Sequence, residues 1–548
     1  MAEQGADLFF QAALQYGYRY VFGNPGTTEV PFMDALARYP DLNFILCLQE
    51  NVATGAADGF ARMSGWPALV NLHLAPGLSN GLANMHNAWK AHVPMVVTVG
   101  EHDTHHMIED SPLAGNIEEI ARAICKWTWT VKEPCELANA LHRATMIAMM
   151  PPQGPVCLVL PTNILAQPPL TPTGATASIP ALHLPTLGAA SSQDIERAVE
   201  ALLAARHPFI VVGDVCAQDH VYIQEIAQRC HAQILYNTFL KRFDGPFAPG
   251  ALSLPYLPGQ RRKLLAQADA LLLVGTGGFT TYFFYDYDPA PVLSPHTQVI
   301  HLDNDLQALG KNERASLPLY GDITASLQLL TAALRERLPQ NETGEIQQHS
   351  PNRTAEPPAT DRLTPRLFMQ TLHDILPKDT ILVDEAVTIR EAMMAELLAP
   401  GDRIGSYITN RGGSLGFALP FSIGAALGAP QRSVLAVVGD GASMYTIQAL
   451  WTMAHYNLPI MAIISNNAVY NIIKAEILRR GGTLAQQGPT ALEPVVGLNE
   501  PRIDFRTLAT SMGVSGWSVR NIDELKSTLQ QASAVWQHGK PVLLDVYF

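Results

Sequence analysis

The sequence predicts an α/β protein of three doubly wound parallel-sheet domains. Short apolar runs alternate with helical patterns along the chain, as in Val434–Gly439, Ile460–Ser465 and Val542–Val546. Uninterrupted apolar runs of this length are typical of strands buried on both faces of a parallel sheet. Two polar stretches without hydrophobic periodicity separate three blocks of similar size. Three successive α/β domains are therefore the expected architecture.

The polar stretches run from about Pro168 to Thr186 and from about Gln340 to Thr364, and both contain several prolines. They predict domains at residues 1–170, 187–340 and 362–548. The strands expected in the first two blocks are Ala68–Leu72, Pro94–Gly100, Pro155–Leu160, Phe209–Gly213, Ala270–Gly275 and Gln298–Leu302.

Composition narrows the class of protein. The 548 residues are 47% hydrophobic and 16% charged, with a net charge of −13. This charge argues against a nucleic-acid or anionic-membrane partner. The six cysteines form no CxxC pair, the segment from Met1 to Gln4 lacks the basic stretch and apolar run expected of a signal peptide, and no run of 18 apolar residues occurs. We therefore expect a cytoplasmic protein with reduced thiols, no signal peptide and no membrane span.

Two neighbouring strand ends carry polar residues. Gly439-Asp440-Gly441 ends one predicted strand, and Asn466-Asn467 ends the next. Ligands of open α/β sheets bind at the carboxyl ends of strands. The side chains of Asp440 and Asn467, with a backbone carbonyl just beyond Asn467, offer the oxygen ligands that Mg²⁺ prefers and usually shares with phosphate. The glycines and the following helix start favour a diphosphate beside the metal.

Further segments carry a resemblance to a known family. They are Phe22–Gly26, Leu48–Asn51, Gly55–Ala61, Leu72-His73, Gly416–Pro420, Ala449–Trp451 and Tyr456-Asn457. Together with the strand-end motifs, they make the chain similar to the thiamine-diphosphate-dependent 2-oxo acid decarboxylases and acetohydroxyacid-synthase-like enzymes, nearest the benzoylformate decarboxylase branch. The resemblance spans nearly the whole chain. Its motifs are specific for the cofactor and much less so for the substrate.

The resemblance implies an aminopyrimidine-binding N-terminal domain, a central domain and a C-terminal domain for Mg²⁺ and diphosphate. Glu50 matches the glutamate that bonds N1′ of the aminopyrimidine, and a carboxyl in an apolar pocket can share a proton there. Gly413 matches the carbonyl that accepts from the 4′-amino group, and Leu415 matches the apolar wedge beneath the thiazolium. The implied metal ligands are Asp440, Asn467 and Val469, and the implied diphosphate contacts are Gly439, Gly441, Ala442, Ser443 and Tyr470.

The resemblance also implies which residues lie near the substrate. His73 follows a predicted strand and matches a histidine that relays protons, a task that suits a group titrating near neutral pH. Thr27 stands where the benzoylformate decarboxylase branch has a serine hydroxyl, and Thr28 is an alternative donor. The second catalytic histidine of that branch has no counterpart. An ungapped match puts Tyr285 there, and no histidine occurs from residue 280 to 289.

Other pocket assignments follow from the segment after Asn467. Ile472 and Ile473 stand where the substrate side chain should lie, while Glu476 is either a pocket residue or a solvated helix charge.

His105-His106 is a candidate for the lip of the active site. Gly275-Thr-Gly-Gly278 lacks the spacing of a dinucleotide-binding loop, so no flavin or nicotinamide is expected.

Three functions remain open from the sequence. The first is decarboxylation of an aromatic or branched 2-oxo acid to an aldehyde. The second is carboligation to, or cleavage of, a 2-hydroxy ketone, which the missing histidine favours. The third is a cofactor-binding protein without catalytic activity; a phosphotransferase has no P-loop lysine to support it. By analogy with the family, we expect at least a homodimer. Two such dimers are expected to form a homotetramer.

Overall fold

The computed structural model describes residues 3–170, 178–237, 239–245, 251–280, 290–338, 363–398 and 403–548. The chain forms two compact units. The first unit comprises residues 1–184, 361–397 and 410–548, and the second comprises residues 185–360 and 398–409. The first and last thirds of the sequence therefore share one unit.

The N-terminal sheet of the first unit has six parallel strands in the order β2-β1-β3-β4-β6-β5. Its strands are β1 Tyr20–Gly23, β2 Asn43–Leu46, β3 Leu69–Leu72, β4 Met95–Glu101, β5 Thr128–Thr130 and β6 Pro155–Pro161. Its helices are α1 Gly5–Gln15, α2 Val30–Leu36, α3 Glu50–Ser64, α4 Leu74–Lys90, α5 Ile117–Arg122, α6 Leu137–Met149 and α7 Thr162–Ala166.

The second unit contains a six-stranded parallel sheet in the order β10-β8-β7-β11-β12-β13. Its parallel strands and helices are β7 Pro208–Val212, β8 Gln233–Tyr236, β10 Leu252–Ser253, β11 Ala270–Val274, β12 Gln298–Asp303, β13 Leu317–Tyr320, α8 Ser192–Ala204, α9 Asp219–Cys230, α10 Pro258–Leu264 and α11 Ile323–Arg337. The unit also holds the short strand β9 Phe243–Asp244, which pairs antiparallel with β15 Ile404–Thr409.

The C-terminal sheet of the first unit runs in the order β18-β19-β17-β16-β14, and each of these strands pairs in parallel with its neighbours. Its strands are β14 Thr380–Glu385, β16 Val434–Gly439, β17 Ile460–Asn466, β18 Ser515–Val519 and β19 Val542–Tyr547. Its helices are α12 Pro365–Ile375, α13 Arg390–Leu397, α14 Ala418–Gly428, α15 Asp440–Ser443, α16 Ala449–His455, α17 Asn471–Arg480, α18 Thr483–Gln486, α19 Pro489–Val496, α20 Phe505–Ser511 and α21 Ile522–Gln537.

The predicted fold class is confirmed, and each apolar run expected to form a strand does so within two residues. The residues of β3, β7 and β11 are all buried, as continuous apolar strands covered by helices should be. Strand β2 ends at Leu46, after which the chain leaves the sheet to reach the N-cap of α3 at Gln49. The domain boundaries stay predictions, and the polar stretch near residue 350 lies outside the described residues.

Helices α3 and α14 join the two sheets of the first unit through glycines. A Cβ atom on Gly59 would lie 2.0 Å from the carbonyl oxygen of Phe421, and one on Gly424 would lie 1.7 Å from that of Ala56. Neither helix could approach the other so closely with a larger residue there. This contact fixes α3, which begins at Glu50, against the C-terminal sheet.

A second contact between the sheets involves the edge strand β2. The Tyr456 hydroxyl donates to the carbonyl of Phe44 (3.1 Å) and accepts from the amide of Leu46 (2.8 Å). The Thr452 hydroxyl donates to the carbonyl of Leu46 (3.1 Å). Side chains on and after α16 therefore satisfy backbone groups that an edge strand leaves open. No helix in the described part of the chain is long and apolar enough to cross a membrane.

Candidate active site

The carboxyl ends of β16 and β17 bring Asp440 and the turn after Asn467 into contact. The strands pair in parallel with Gly439 opposite Ser465. Asp440 is buried, and its carboxylate accepts from the amide of Gly441 (2.8 Å) and from that of Ala468 (2.7 Å). Burial raises the pKa of Asp440, and these backbone donors oppose the rise.

The turn at residues 467–470 has a fixed backbone. Ala468 adopts a left-handed conformation with φ of 54°, and the amide of Val469 donates to the side-chain oxygen of Asn467 (3.1 Å). The ring of Tyr470 lies over Gly441, where a Cβ atom would be only 2.4 Å from the ring. Glycine at 441 therefore lets this ring cover the loop after β16.

The donor set at this edge fits Mg²⁺. One carboxylate, one amide oxygen and one backbone carbonyl are hard oxygen ligands, and such a site leaves positions for phosphate oxygens. The described residues contain no group of three or more His, Cys, Asp and Glu side chains arranged for a metal. The described residues therefore show no metal centre built from several such side chains. A Mg²⁺ site that shares its oxygen ligands with a phosphate would need only one carboxylate from the protein, that of Asp440.

Glu50 lies at a buried helix start on the N-terminal sheet. It is the first residue of α3, only 9% exposed, and its Oε2 atom accepts from Asn80 Nδ2 at 3.1 Å. The preceding Gln49 caps the helix by accepting from the amides of Asn51 and Val52. One carboxyl oxygen of Glu50 is therefore held, and a hydrogen bond to a ligand would be made by the other.

His73 lies close to Glu50 and is oriented by a buried carboxylate. It is the N-cap residue of α4, and its Nδ1 atom lies 2.8 Å from Oε2 of Glu29, a residue with no exposed surface. Glu29 also accepts from the amide of Gly26 (2.7 Å) and from the hydroxyl of Thr28 (2.7 Å). Glu29 therefore favours the tautomer with the proton on Nδ1, which leaves Nε2 of His73 for another partner.

Two glycines make room for this pair. A Cβ atom on Gly26 would lie 2.2 Å from Nδ1 of His73, and one on Gly100 would lie 1.6 Å from Oε1 of Glu29. A Cβ atom on Gly77 would lie 3.4 Å from the Cβ atom of His73 and 3.5 Å from Oε1 of Glu50. The side chains of His73 and Glu50 are therefore neighbours of the same glycine in the first turn of α4.

Family models and relatives match the chain over these same regions. The models described as the N-terminal thiamine pyrophosphate binding domain, the central domain and the C-terminal thiamine pyrophosphate binding domain match residues 3–115, 195–330 and 391–546. A Mycobacterium tuberculosis protein, provisionally named as an acetolactate synthase large subunit, is 31% identical over 99% of this chain and 98% of its own length. The chain belongs to the thiamine pyrophosphate enzyme family.

Two further relatives of this thiamine pyrophosphate enzyme are decarboxylases by name. The benzoylformate decarboxylase of Pseudomonas aeruginosa is 29% identical over 98% of this chain and 97% of its own length. The solved structure of the thiamine diphosphate-dependent 4-hydroxybenzoylformate decarboxylase of Rhodococcus jostii RHA1 superimposes with a TM-score of 0.87 at 25% identity, covering 99% of each chain. The family resemblance inferred from the sequence motifs is confirmed.

In this thiamine pyrophosphate enzyme the loop from Asn410 to Gly416 carries Gly413 and Leu415. Gly413 has φ of +81° and is exposed, and Leu415 is 36% exposed. At the loop's end, Glu385 accepts from the amides of Phe417 (2.9 Å) and Ala418 (2.8 Å). Burial raises the pKa of Glu385 to about 7, against the opposing effect of these backbone donors.

The other residues that the sequence predicted for the substrate pocket and the cofactor site differ in exposure and in hydrogen-bond partners. Thr27 is exposed, whereas Thr28 lies 3.2 Å from Nδ1 of His73. Helix α17, which bears Ile472, Ile473 and Glu476, has no buried residue, and Glu476 pairs with Arg479 at 3.0 Å. His105 pairs with Asp103 in the loop after β4, beside the partly exposed His106. Ser443 donates to the carbonyl of Asp440, Ala442 is buried, and Tyr285 lies outside the described residues.

Three side chains of the site were given no role from the sequence. They are Glu29, Asn80 and Glu385. Glu29 stands beside Thr27 and Thr28, so its motif was visible, but its partner His73 is 44 residues away. Asn80 follows His73 by seven residues, a helical spacing that places both on one face of α4. Glu385 is the last residue of a buried strand, and Asp440 directly follows another. This position at a strand end is the feature from which a role of Glu385 in the site could have been predicted.

Proposed function

We propose that this enzyme decarboxylates a 2-oxo acid to an aldehyde and CO₂, using thiamine diphosphate and Mg²⁺. The observation that carries the proposal is the Glu29–His73 pair beside Glu50, because His73 would serve there as a proton relay next to the residue that matches the cofactor-activating glutamate. The names of the Pseudomonas and Rhodococcus relatives, both decarboxylases of a benzoylformate, support the same reaction.

The residues at the two sheets would hold the cofactor at its two ends. The carbonyl of Gly413 and the carboxyl of Glu50 would bind the aminopyrimidine, and Leu415 would lie beneath the thiazolium. The metal and diphosphate would be held by Gly439, Asp440, Gly441, Ala442, Ser443, Asn467, Val469 and Tyr470. When bound, thiamine diphosphate supplies a nucleophilic carbon and an electron sink for the departing CO₂.

The protein's own groups would then manage protons and orientation. Glu50, with one oxygen held by Asn80, would hold a proton at N1′ of the aminopyrimidine. His73, with Nδ1 held by Glu29, would take up a proton from solvent at Nε2 and, as an imidazolium, deliver that proton to the carbon that loses CO₂. The hydroxyl of Thr27 or Thr28 would bind the substrate carboxylate. Positioned groups of this kind each contribute about 10²–10⁴-fold to rate.

The apolar side chains of the predicted pocket support a substrate class. Ile472 and Ile473 on α17, with Leu415, would provide hydrocarbon surface. Ile473 is 49% exposed and Leu415 is 36% exposed, so both have surface that a ligand would cover. An aromatic or branched aliphatic 2-oxo acid suits such a pocket, because burial of its side chain is favourable by about 25 cal/mol per Å².

The test is turnover of a panel of aromatic, branched and short-chain 2-oxo acids in the presence of thiamine diphosphate and Mg²⁺. We expect CO₂ and the matching aldehyde in equal amounts, with the highest kcat/KM for aromatic or branched acids. Absence of CO₂ release from every member of the panel would refute decarboxylation.

A second candidate is carboligation, in which the same reacting carbon attacks a second carbonyl compound to give a 2-hydroxy ketone. Two observations favour it: residues 280–289 contain no histidine, and the 31% identical relative is named for acetolactate synthesis. Slower proton delivery would leave time for attack on the second carbonyl. Chromatography of products formed with and without an added aldehyde separates the reactions, since only carboligation consumes the aldehyde into a ketone.

By analogy with the family, we also propose that the chain forms a homodimer and that two such dimers form a homotetramer. Glu50 lies beside the N-terminal sheet and accepts from Asn80, whereas Asp440 lies at the end of a strand of the C-terminal sheet and accepts from Gly441 and Ala468. In the family, such half-sites from two subunits enclose one cofactor. Sedimentation of the active enzyme should show a dimer or a larger species; full activity in a monomer would refute this assembly.

A further inference from the structure

Helix α4 carries a stripe of polar side chains along one face. After His73 at its N-cap come Asn80, Asn84 and Asn87, separated by seven, four and three residues, which keeps them on the same side of a helix. Asn80 bonds to Glu50, as described above. Asn84 and Asn87 have no exposed surface, so their amide groups need partners within the protein.

Those partners are backbone groups of the loop at Asn410–Gly416. Asn87 donates from Nδ2 to the carbonyl of Ser414 (2.9 Å) and accepts at Oδ1 from the amide of Ser414 (3.0 Å). Asn84 donates from Nδ2 to the carbonyl of Gly416 (3.0 Å). The residues on both sides of Leu415 are therefore held by two asparagines one helical turn apart.

The asparagines also bond to each other and to α3. Asn87 Nδ2 donates to Oδ1 of Asn84 (2.8 Å), and Asn84 is tied to Asn51 by its amide (2.7 Å) and by its side chain (2.9 Å). The loop backbone is pressed against α4, since a Cβ atom on Gly412 would lie 2.4 Å from Oδ1 of Asn87. A buried network that is fully bonded in this way fixes one arrangement of the groups it joins.

We propose that Asn84 and Asn87 are positioning residues that hold Gly413 and Leu415 where the aminopyrimidine and thiazolium rings bind. The two neighbours of Leu415 have further partners, since the carbonyl of Ser414 also accepts from Asn410 (2.6 Å) and that of Gly416 from the hydroxyl of Thr446 (3.1 Å), so the asparagines of α4 act together with these bonds. Helix α4 thereby touches both half-sites of the chain: Glu50 through Asn80, and the loop through Asn84 and Asn87. The proposal rests on the proposed thiamine diphosphate site.

The anchoring can be tested without cofactor by hydrogen exchange of peptides that span residues 410–418. Asn87→Ala removes three hydrogen bonds, each worth about a factor of two to ten, so exchange of these amides should be about tenfold faster or more. Thr145→Val is the matched control, because it removes two hydrogen bonds of an equally buried side chain, to Tyr18 (2.8 Å) and to the carbonyl of Leu141 (2.8 Å), and both partners lie outside the loop. Its loop should exchange as in the wild type.

The effect on the cofactor is measured as the dissociation constant of thiamine diphosphate with Mg²⁺, from quenching of tryptophan fluorescence. Asn87→Ala should raise this constant about tenfold and Thr145→Val should leave it unchanged. Asn87→Asp, which keeps the shape and the acceptor for Ser414, should lie between wild type and Asn87→Ala. In a Leu415→Ala background, the effect of Asn87→Ala on kcat should shrink, because the two residues act through one contact.

Unchanged loop exchange in Asn87→Ala would overturn the anchoring. Faster exchange with an unchanged dissociation constant would overturn the positioning role, as would an equal effect of Thr145→Val. A wild-type protein that binds no thiamine diphosphate would instead refute the proposed function, and the exchange result would still decide whether the asparagines hold the loop.

Discussion

At the scale of single residues, the site depends on buried carboxyl groups whose partners are far away in the sequence. Glu29 is fully buried and accepts three hydrogen bonds, one of them from His73. The sequence predicted His73 from a motif next to a strand. It could not predict the orientation of the imidazole, because that depends on a contact between two loops of the N-terminal sheet.

Replacement of Glu29 by Gln should lower kcat while leaving cofactor binding intact. Glutamine keeps the size of the side chain but removes the charge that stabilises an imidazolium, so we expect kcat to fall about 10–100-fold. The dissociation constant of thiamine diphosphate should stay within about twofold of the wild-type value, since Glu29 bonds to none of the predicted cofactor residues.

A double-mutant cycle with His73→Ala is the control for that change. If Glu29 acts through His73, the combined variant should be little slower than His73→Ala alone. Independent, multiplying losses would contradict the orienting role.

Glu385 should make stability depend on pH. Its pKa rises from 4.5 to about 7 on folding because of burial. A raised pKa means that the folded state binds the proton more tightly, so the stabilisation is complete below about pH 4.5 and is lost as the pH rises through about 7. Denaturation of wild type and Glu385→Gln at several pH values should show the wild type losing on the order of 3 kcal/mol relative to the variant over this range. Parallel stability curves would contradict this.

At the scale of elements, local patterns predicted the strands well and the contacts between elements poorly. Continuous apolar runs predicted β16, β17 and β19, because burial on both faces leaves a signal in the sequence itself. The two-residue strand β9 carries no such signal. The glycines of α3 and α14 also gave no indication that the two helices pack closely, because this contact depends on the positions of both helices in the fold.

The contact between α3 and α14 predicts a large cost for a small substitution. Gly59→Ala or Gly424→Ala would put a methyl group within about 2 Å of a backbone oxygen. Such overpacking costs about 1–3 kcal/mol or more, so we expect a lower free energy of unfolding and weaker binding of thiamine diphosphate.

Gly259 on α10 is the matched control for this pair. A Cβ atom there meets no described atom within 4 Å. Gly259→Ala should therefore change the free energy of unfolding by no more than about 1 kcal/mol, in the stabilising direction that helix propensity favours. Equal effects of the three substitutions, measured by chemical denaturation, would contradict the role of the helix contact.

At the scale of the whole molecule, the three α/β blocks read from the sequence are arranged as two compact units. The first and third blocks share a unit through α3, α14 and the edge of β2. Sequence order alone gives no indication of this, since the contacts join residues more than 300 positions apart. The cofactor thiamine diphosphate was predictable, because the proposed metal and diphosphate motif is local to two successive strand ends, whereas no single segment of the sequence identifies the substrate.

The most direct test of the central claim is the turnover of 2-oxo acids by Glu50→Gln beside the wild type, at saturating thiamine diphosphate and Mg²⁺. Glutamine keeps the size of Glu50 and an acceptor for Asn80 but cannot hold the proton at N1′. We predict that the variant binds the cofactor within about tenfold of wild-type affinity and releases CO₂ at least about 100-fold more slowly. Equal rates of CO₂ release, or cofactor binding with no turnover in either protein, would contradict the account and leave a binding protein without catalysis.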